Sequence, residues 1–244
     1  MQIVSAALLV VFLLFSTAIG VRLVALHTRT RRPPELLIGI GILGIGPAGM
    51  GGLLAAAVLD RADHAASPYA AALAVVAIGA GLCAAGLFNW RVYRPESERA
   101  RLAVLGTVLL SGIGFGIELG TTGFADPLRP GPGVMLVSLC CAGTLVWGGA
   151  ESIRYWRLMR RRLAIGLADP LVTNRFLLYG LGIGAAGLGS AISIGAQLVS
   201  GLGMAEMPLV TLSNSIFGLA SAVCMGTAFL PPAAWRRRFT PDVS

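Results

Sequence analysis

The apolar positions of this chain gather into seven long runs, at about 2–24, 36–58, 69–89, 102–123, 133–153, 176–199 and 209–230, with short polar turns between them. Each run is near the ~20 residues that an α-helix needs to cross the hydrocarbon core of a bilayer. The pattern predicts an all-α fold: a polytopic membrane protein of seven transmembrane helices, forming a single domain over 1–244 with no separate soluble domain.

Local signals sharpen the ends of these runs. Pro33-Pro34 stops the helix before it and opens the next, with Glu35 in a first turn where a carboxylate suits the helix dipole. The second run, Leu36 to Val58, is glycine-rich and carries Pro47 near its middle. Phe88, Trp90, Tyr93 and the arginines beside them mark a headgroup level, as do Trp235, Arg236, Arg237, Arg238 and Phe239. The stretch from Arg154 to Arg175 is expected to continue the fifth helix along the lipid surface, with Trp156 and Leu158 dipping inward. Asp169-Pro170 reads as an N-cap followed by proline at the first helical position.

Composition supports the same class: hydrophobic residues are 56% of the chain and charged residues 12%, against roughly 25% charged in soluble domains. All nineteen basic residues are arginine. With seven spans, seventeen of them fall on one side, and only Arg61 and Arg129 on the other. Positive residues in short loops stay in the cytoplasm, so the N-terminus is expected outside, the C-terminus inside, and the location is the inner cell membrane. Met1 to Gly20 has no basic residue before its apolar core and Arg22 just after it, which reads as an uncleaved span. Topology also accounts for the formal charge of +8, so nucleic acid is not an expected partner. Anionic lipid is, at about 1 kcal/mol per arginine near the surface, together with a small-molecule ligand and a cytoplasmic protein partner.

Several chemistries lack their residues. A retinal protein needs a lysine; paired haem histidines are missing within the spans, since His27 and His64 lie in turns. No HExxH, nucleophile elbow or acidic cluster for magnesium occurs. Cys83, Cys140, Cys141 and Cys224 all fall inside spans without CxxC spacing and read as small packing residues. The expectation is a non-enzyme with no cofactor and no metal. Three GxGxxG matches, starting at Gly39, Gly44 and Gly182, sit inside spans rather than after a strand; they read as close helix contacts, with Gly180 and Gly184 on one small face.

An internal repeat occurs at an offset of 141. Leu36-Leu-Ile-Gly-Ile-Gly-Ile matches Leu177-Leu-Tyr-Gly-Leu-Gly-Ile, and the same offset pairs Gly46 with Gly187, Cys83 with Cys224 and Phe88 with Phe229. Spans one to three then correspond to spans five to seven in a parallel repeat, with span four as connector. This three-plus-one-plus-three layout resembles, in architecture alone, the broad group of seven-helix transporters, opsins and receptors. The resemblance covers the span pattern and carries over no functional residue.

Glu118 is the acid well within a span, and an intramembrane ionisable group is a functional candidate. Asn214, Gln197 and Ser193, with Ser213 and Ser215, lie toward the same end of their spans and form with it a candidate ligand pocket opening outward. The expected function is a receptor or sensor that binds a small ligand there and signals through its arginine-rich cytoplasmic face, favoured by the odd span number, the outside N-terminus and the basic third cytoplasmic loop. The alternative is a passive small-molecule facilitator made of two three-helix halves, favoured by the repeat and the matching Gly-rich spans two and six. A membrane scaffold is the third reading.

Overall fold

The computed structural model describes residues 2–127 and 129–230, leaving aside the side chains of Gln2, Ile3 and Ala205. The expected headgroup anchor from Trp235 to Phe239 lies outside the described residues. Among these the chain is helical, with seven helices long and apolar enough to cross a membrane. They are α1 (Gln2–Thr30), α2 (Pro33–Arg61), α3 (Ser67–Tyr93), α4 (Glu98–Thr121), α5 (Pro132–Leu163), α6 (Pro170–Ser200) and α7 (Pro208–Phe229). The chain is a multi-pass membrane protein.

Their ends follow from residue chemistry. Arg31 adopts a positive φ of 57°, breaking α1 from α2, whose first turn holds Pro33 and Pro34. The Ser97 hydroxyl caps α4 by accepting from the Ala100 amide at 3.3 Å. At α6 the expected cap is present: Asp169 Oδ1 accepts from the amides of Leu171 at 2.7 Å and Val172 at 3.3 Å, with Pro170 at the first position. The arginine-rich continuation of α5 is helical through Leu163. Trp156 stacks under the Arg160 guanidinium at 5.2 Å, while Leu158 is exposed.

Two segments leave the α ladder. Within α2, Gly44–Met50 is a π-helix containing Pro47, and Asn89–Tyr93 closes α3 as a second π-helix. Proline has no N–H to donate, so a wider turn absorbs the break that Pro47 makes in the ladder.

The helices pack in the cyclic order α1, α2, α3, α5, α6, α7 and back to α1. Helix α4 lies outside this ring against α3 and α5 and exposes an apolar face of Leu102, Leu109 and Leu119, suited to lipid. Small residues set the crossings, since lipid gives helices no hydrophobic drive to associate. A methyl group on Gly39 would stand 3.2 Å from the Gly20 carbonyl, and one on Gly180 3.2 Å from that of Gly149. The α1–α2 and α5–α6 pairs thus meet at similar glycine crossings.

Candidate functional site

Glu118 is 2% exposed, and three donors account for its carboxylate. Oε1 accepts from the Thr122 hydroxyl at 2.7 Å and the Gly131 amide at 3.1 Å; Oε2 accepts from the Val134 amide at 3.0 Å. Gly131 is the N-cap of α5 and Val134 lies in its first turn. Glu118 therefore caps the neighbouring helix from α4, at the end where the helix dipole favours an acid. The fit is close: a Cβ on Gly131 would stand 2.6 Å from Glu118 Oε1, and one on Gly133 2.1 Å from the Gly114 carbonyl.

The other three candidates gather on α6 and α7. Ser193 and Gln197 are both buried; the Ser193 hydroxyl donates to the Gly189 carbonyl at 2.9 Å, and Gln197 Nε2 to the Ser193 carbonyl at 3.2 Å. Gln197 Oε1 is buried with no hydrogen-bond partner among the described residues. Asn214 packs on the same stretch, its Oδ1 only 2.9 Å from where a Cβ on Gly189 would lie. The structure thus brings Ser193, Gln197 and Asn214 to one interface, while the hydrogen bonds of Glu118 stay within α4 and the start of α5. Beyond both places, the Arg129 guanidinium pairs with Glu206, joining the α4–α5 turn to the α6–α7 turn. The Gly203 amide and then Arg129 hold the Glu206 carboxyl below its ordinary pKa.

Sequence reasoning did not single out the centre of the ring. A cavity of about 80 Å³ lies there, with walls drawn from α1, α2, α3, α5, α6 and α7. Its α2 wall includes Ile38, Ile42 and Ile45, and its α6 wall Tyr179, Ile183 and Ala186. Each α2 residue and its α6 counterpart are separated by 141 positions. Tyr179 on the cavity wall also belongs to an aromatic layer, lying between Phe88 at 5.6 Å and Phe229 at 6.0 Å, two residues 141 positions apart.

No known family, characterised protein or solved structure matches this chain.

A polar cluster borders the aromatic layer. Asn89, 2% exposed, donates through Nδ2 to the Thr144 carbonyl at 3.1 Å, tying α3 to α5. Arg94 reaches Glu151 Oε1 through Nη2 at 2.8 Å and Nε at 3.0 Å. The Ser152 hydroxyl donates to the Phe176 carbonyl at 2.7 Å. Each of these bonds joins neighbouring spans, and the opposite end is braced as well, by Glu118 on the start of α5, by the Ser67 hydroxyl on the Ala56 carbonyl at 3.0 Å and by the Arg129–Glu206 pair. Cys83, Cys140, Cys141 and Cys224 are free thiols.

Proposed function

We propose that this protein is a passive facilitator of small neutral solutes, built from two three-helix halves of like orientation, α1–α3 and α5–α7, with α4 as connector. In this reading the arginine-rich end faces the cytoplasm across the inner cell membrane, as positive residues in short loops require. The supporting observation is the central cavity, whose facing walls come from equivalent positions of the Gly-rich helices α2 and α6. Solute sites of repeat-built transporters lie at such a meeting of halves. The ring order adds support, because the last helix of each half packs on the first helix of the other. Buried charge for ion coupling is scarce, and the buried Glu118 is engaged in capping α5, so the transport is downhill. The test is swelling of proteoliposomes with neutral solutes: saturable flux above that of empty liposomes is expected, and its absence across the panel removes the carrier reading.

A receptor is the second reading, and Gln197 favours it. Its unpartnered Oε1 beside Ser193 and Asn214 gives a ligand a hydrogen-bonding group at the end opposite the arginines. The arginine-rich end of α5 would then meet a cytoplasmic protein partner and anionic lipid. Ligand-dependent capture of a cytoplasmic protein, without flux, would select this reading over the carrier.

A further inference from the structure

We infer that the central cavity is a binding site for small uncharged amides and alcohols, with the hydroxyls of Tyr179 and Ser221 as the groups that recognise them. The inference rests on the carrier reading for its purpose and on the cavity alone for its chemistry. Three hydroxyl residues line the space. That of Ser16 is satisfied, donating to the Leu13 carbonyl at 3.1 Å. Tyr179 is 7% exposed and Ser221 6%, and neither hydroxyl has a hydrogen-bond partner among the described residues. Neither hydroxyl oxygen is among the fully enclosed atoms without a partner, so each keeps an open side where water or a guest can supply the hydrogen bond that the protein does not. Two of them on one otherwise apolar cavity leave a place for a guest that brings hydrogen-bonding atoms of its own.

Size and lining narrow the guest. A cavity of ~150 Å³ is large enough for benzene, so about 80 Å³ takes a molecule of three to five heavy atoms. Ile42, Ile183 and Met225 around it reject a charge, whose burial without a partner is prohibitive. Propionamide meets both demands. Its carbonyl oxygen accepts from one or both hydroxyls, its NH2 donates back, and its ethyl group faces the isoleucines.

The experiment uses the full-length protein in liposomes with Cys83, Cys140, Cys141 and Cys224 replaced by alanine. Ala222→Cys, which keeps both hydroxyls, is treated with methyl methanethiosulfonate, with and without propionamide. Leu82→Cys, fully buried and outside the cavity lining, is the control, and Met225→Cys is the second cavity variant should the first not fold. Labelling faster than at Leu82→Cys is expected, slowed by propionamide in a saturable way, with the protective concentration raised about fivefold by Tyr179→Phe through loss of one hydrogen bond. Labelling no faster than the control overturns the proposal, and so does fast labelling that propionamide leaves unchanged, which marks a hydrated void only. Protection without saturable flux keeps the site and removes the carrier; saturable flux without protection keeps the carrier and removes the site.

Discussion

Helices α2 and α6 both line the cavity with residues 141 positions apart in the chain, yet their backbones differ. Helix α6 is an unbroken α-helix of 31 residues, whereas α2 passes through the π-helix Gly44–Met50. The position that holds Pro47 in α2 holds Leu188 in α6. One wall of the cavity thus has an interrupted hydrogen-bond ladder and the other a complete one. Both walls touch a neighbour backbone to backbone, α6 on α5 at Gly149, Gly180 and Gly184 and α2 on α3 at Gly44 and Gly81, so the difference between them lies in the ladder alone. Any change in cavity width is therefore expected to come from α2, since π-bulges sit where helices yield and act.

The strongest way to break this contrast is to add bulk at the glycine crossings. A Cβ at Gly149 would stand 2.8 Å from the Gly184 Cα, and one at Gly44 2.7 Å from the Ala77 carbonyl. Both Gly149→Val and Gly44→Val are expected to lose about 3 kcal/mol or more, because backbone cannot step aside as a side chain can. Gly149→Val is expected to be the worse of the two in detergent melts; the reverse order would make α2 the stiffer wall. Exchanging the backbone signals comes next. Leu188→Pro, which puts a proline into the intact ladder, is expected to cost about 3 kcal/mol. Pro47→Leu is expected to leave melting within about 1 kcal/mol of the parent, since the π turn already accommodates its surroundings, while slowing solute flux. Unchanged flux in Pro47→Leu would detach transport from the π segment.

Glu118→Ala tests the helix outside the ring rather than the cavity walls. Leaving the Gly131 and Val134 amides without acceptors is expected to cost about 2 kcal/mol, with flux per folded molecule retained because α4 lies outside the ring. Loss of flux in a stable Glu118→Gln protein would instead return Glu118 to the ligand site. The smallest effect belongs to the exposed Arg129–Glu206 pair. The Glu206 carboxyl titrates below its ordinary value, so its contribution is present above the usual carboxylate range of ~4.3 and is lost as pH falls through the lowered value. A slight fall in melting temperature on acidification is expected, smaller in Arg129→Ala but not abolished, because the Gly203 amide still holds the Glu206 carboxylate.

Much of this fold could be read from the residues, and the reasons it could are local. Apolar run length marked the seven spans, and Asp169-Pro170 marked the α6 cap because an N-cap bond reaches only two or three residues along the chain. Glu118 shows the opposite case. Its depth in a span was visible, but its partners Gly131 and Val134 lie 13 and 16 residues away across a turn, and no periodicity announces them. The cavity was hidden for a related reason: Ile42 and Ile183 are as apolar as any packing residue, and only their convergence from different helices leaves a space. Pro47 signalled a break in α2, while the choice of a π turn over a kink was left to the neighbours of Gly44 and Gly49.

The length of α5 carries a mechanical consequence. Its 32 residues make a rod of about 48 Å, against a hydrocarbon thickness of about 30 Å. The rod is thus about 18 Å longer than the lipid tails are thick, and Arg160, Arg161 and Arg162 tip one end of it as a single stiff arm. A tilt of about 10° at the glycine crossing would swing that tip by about 3 Å. A displacement too small to notice beside the cavity thus becomes the width of a side chain at the far end of the lever.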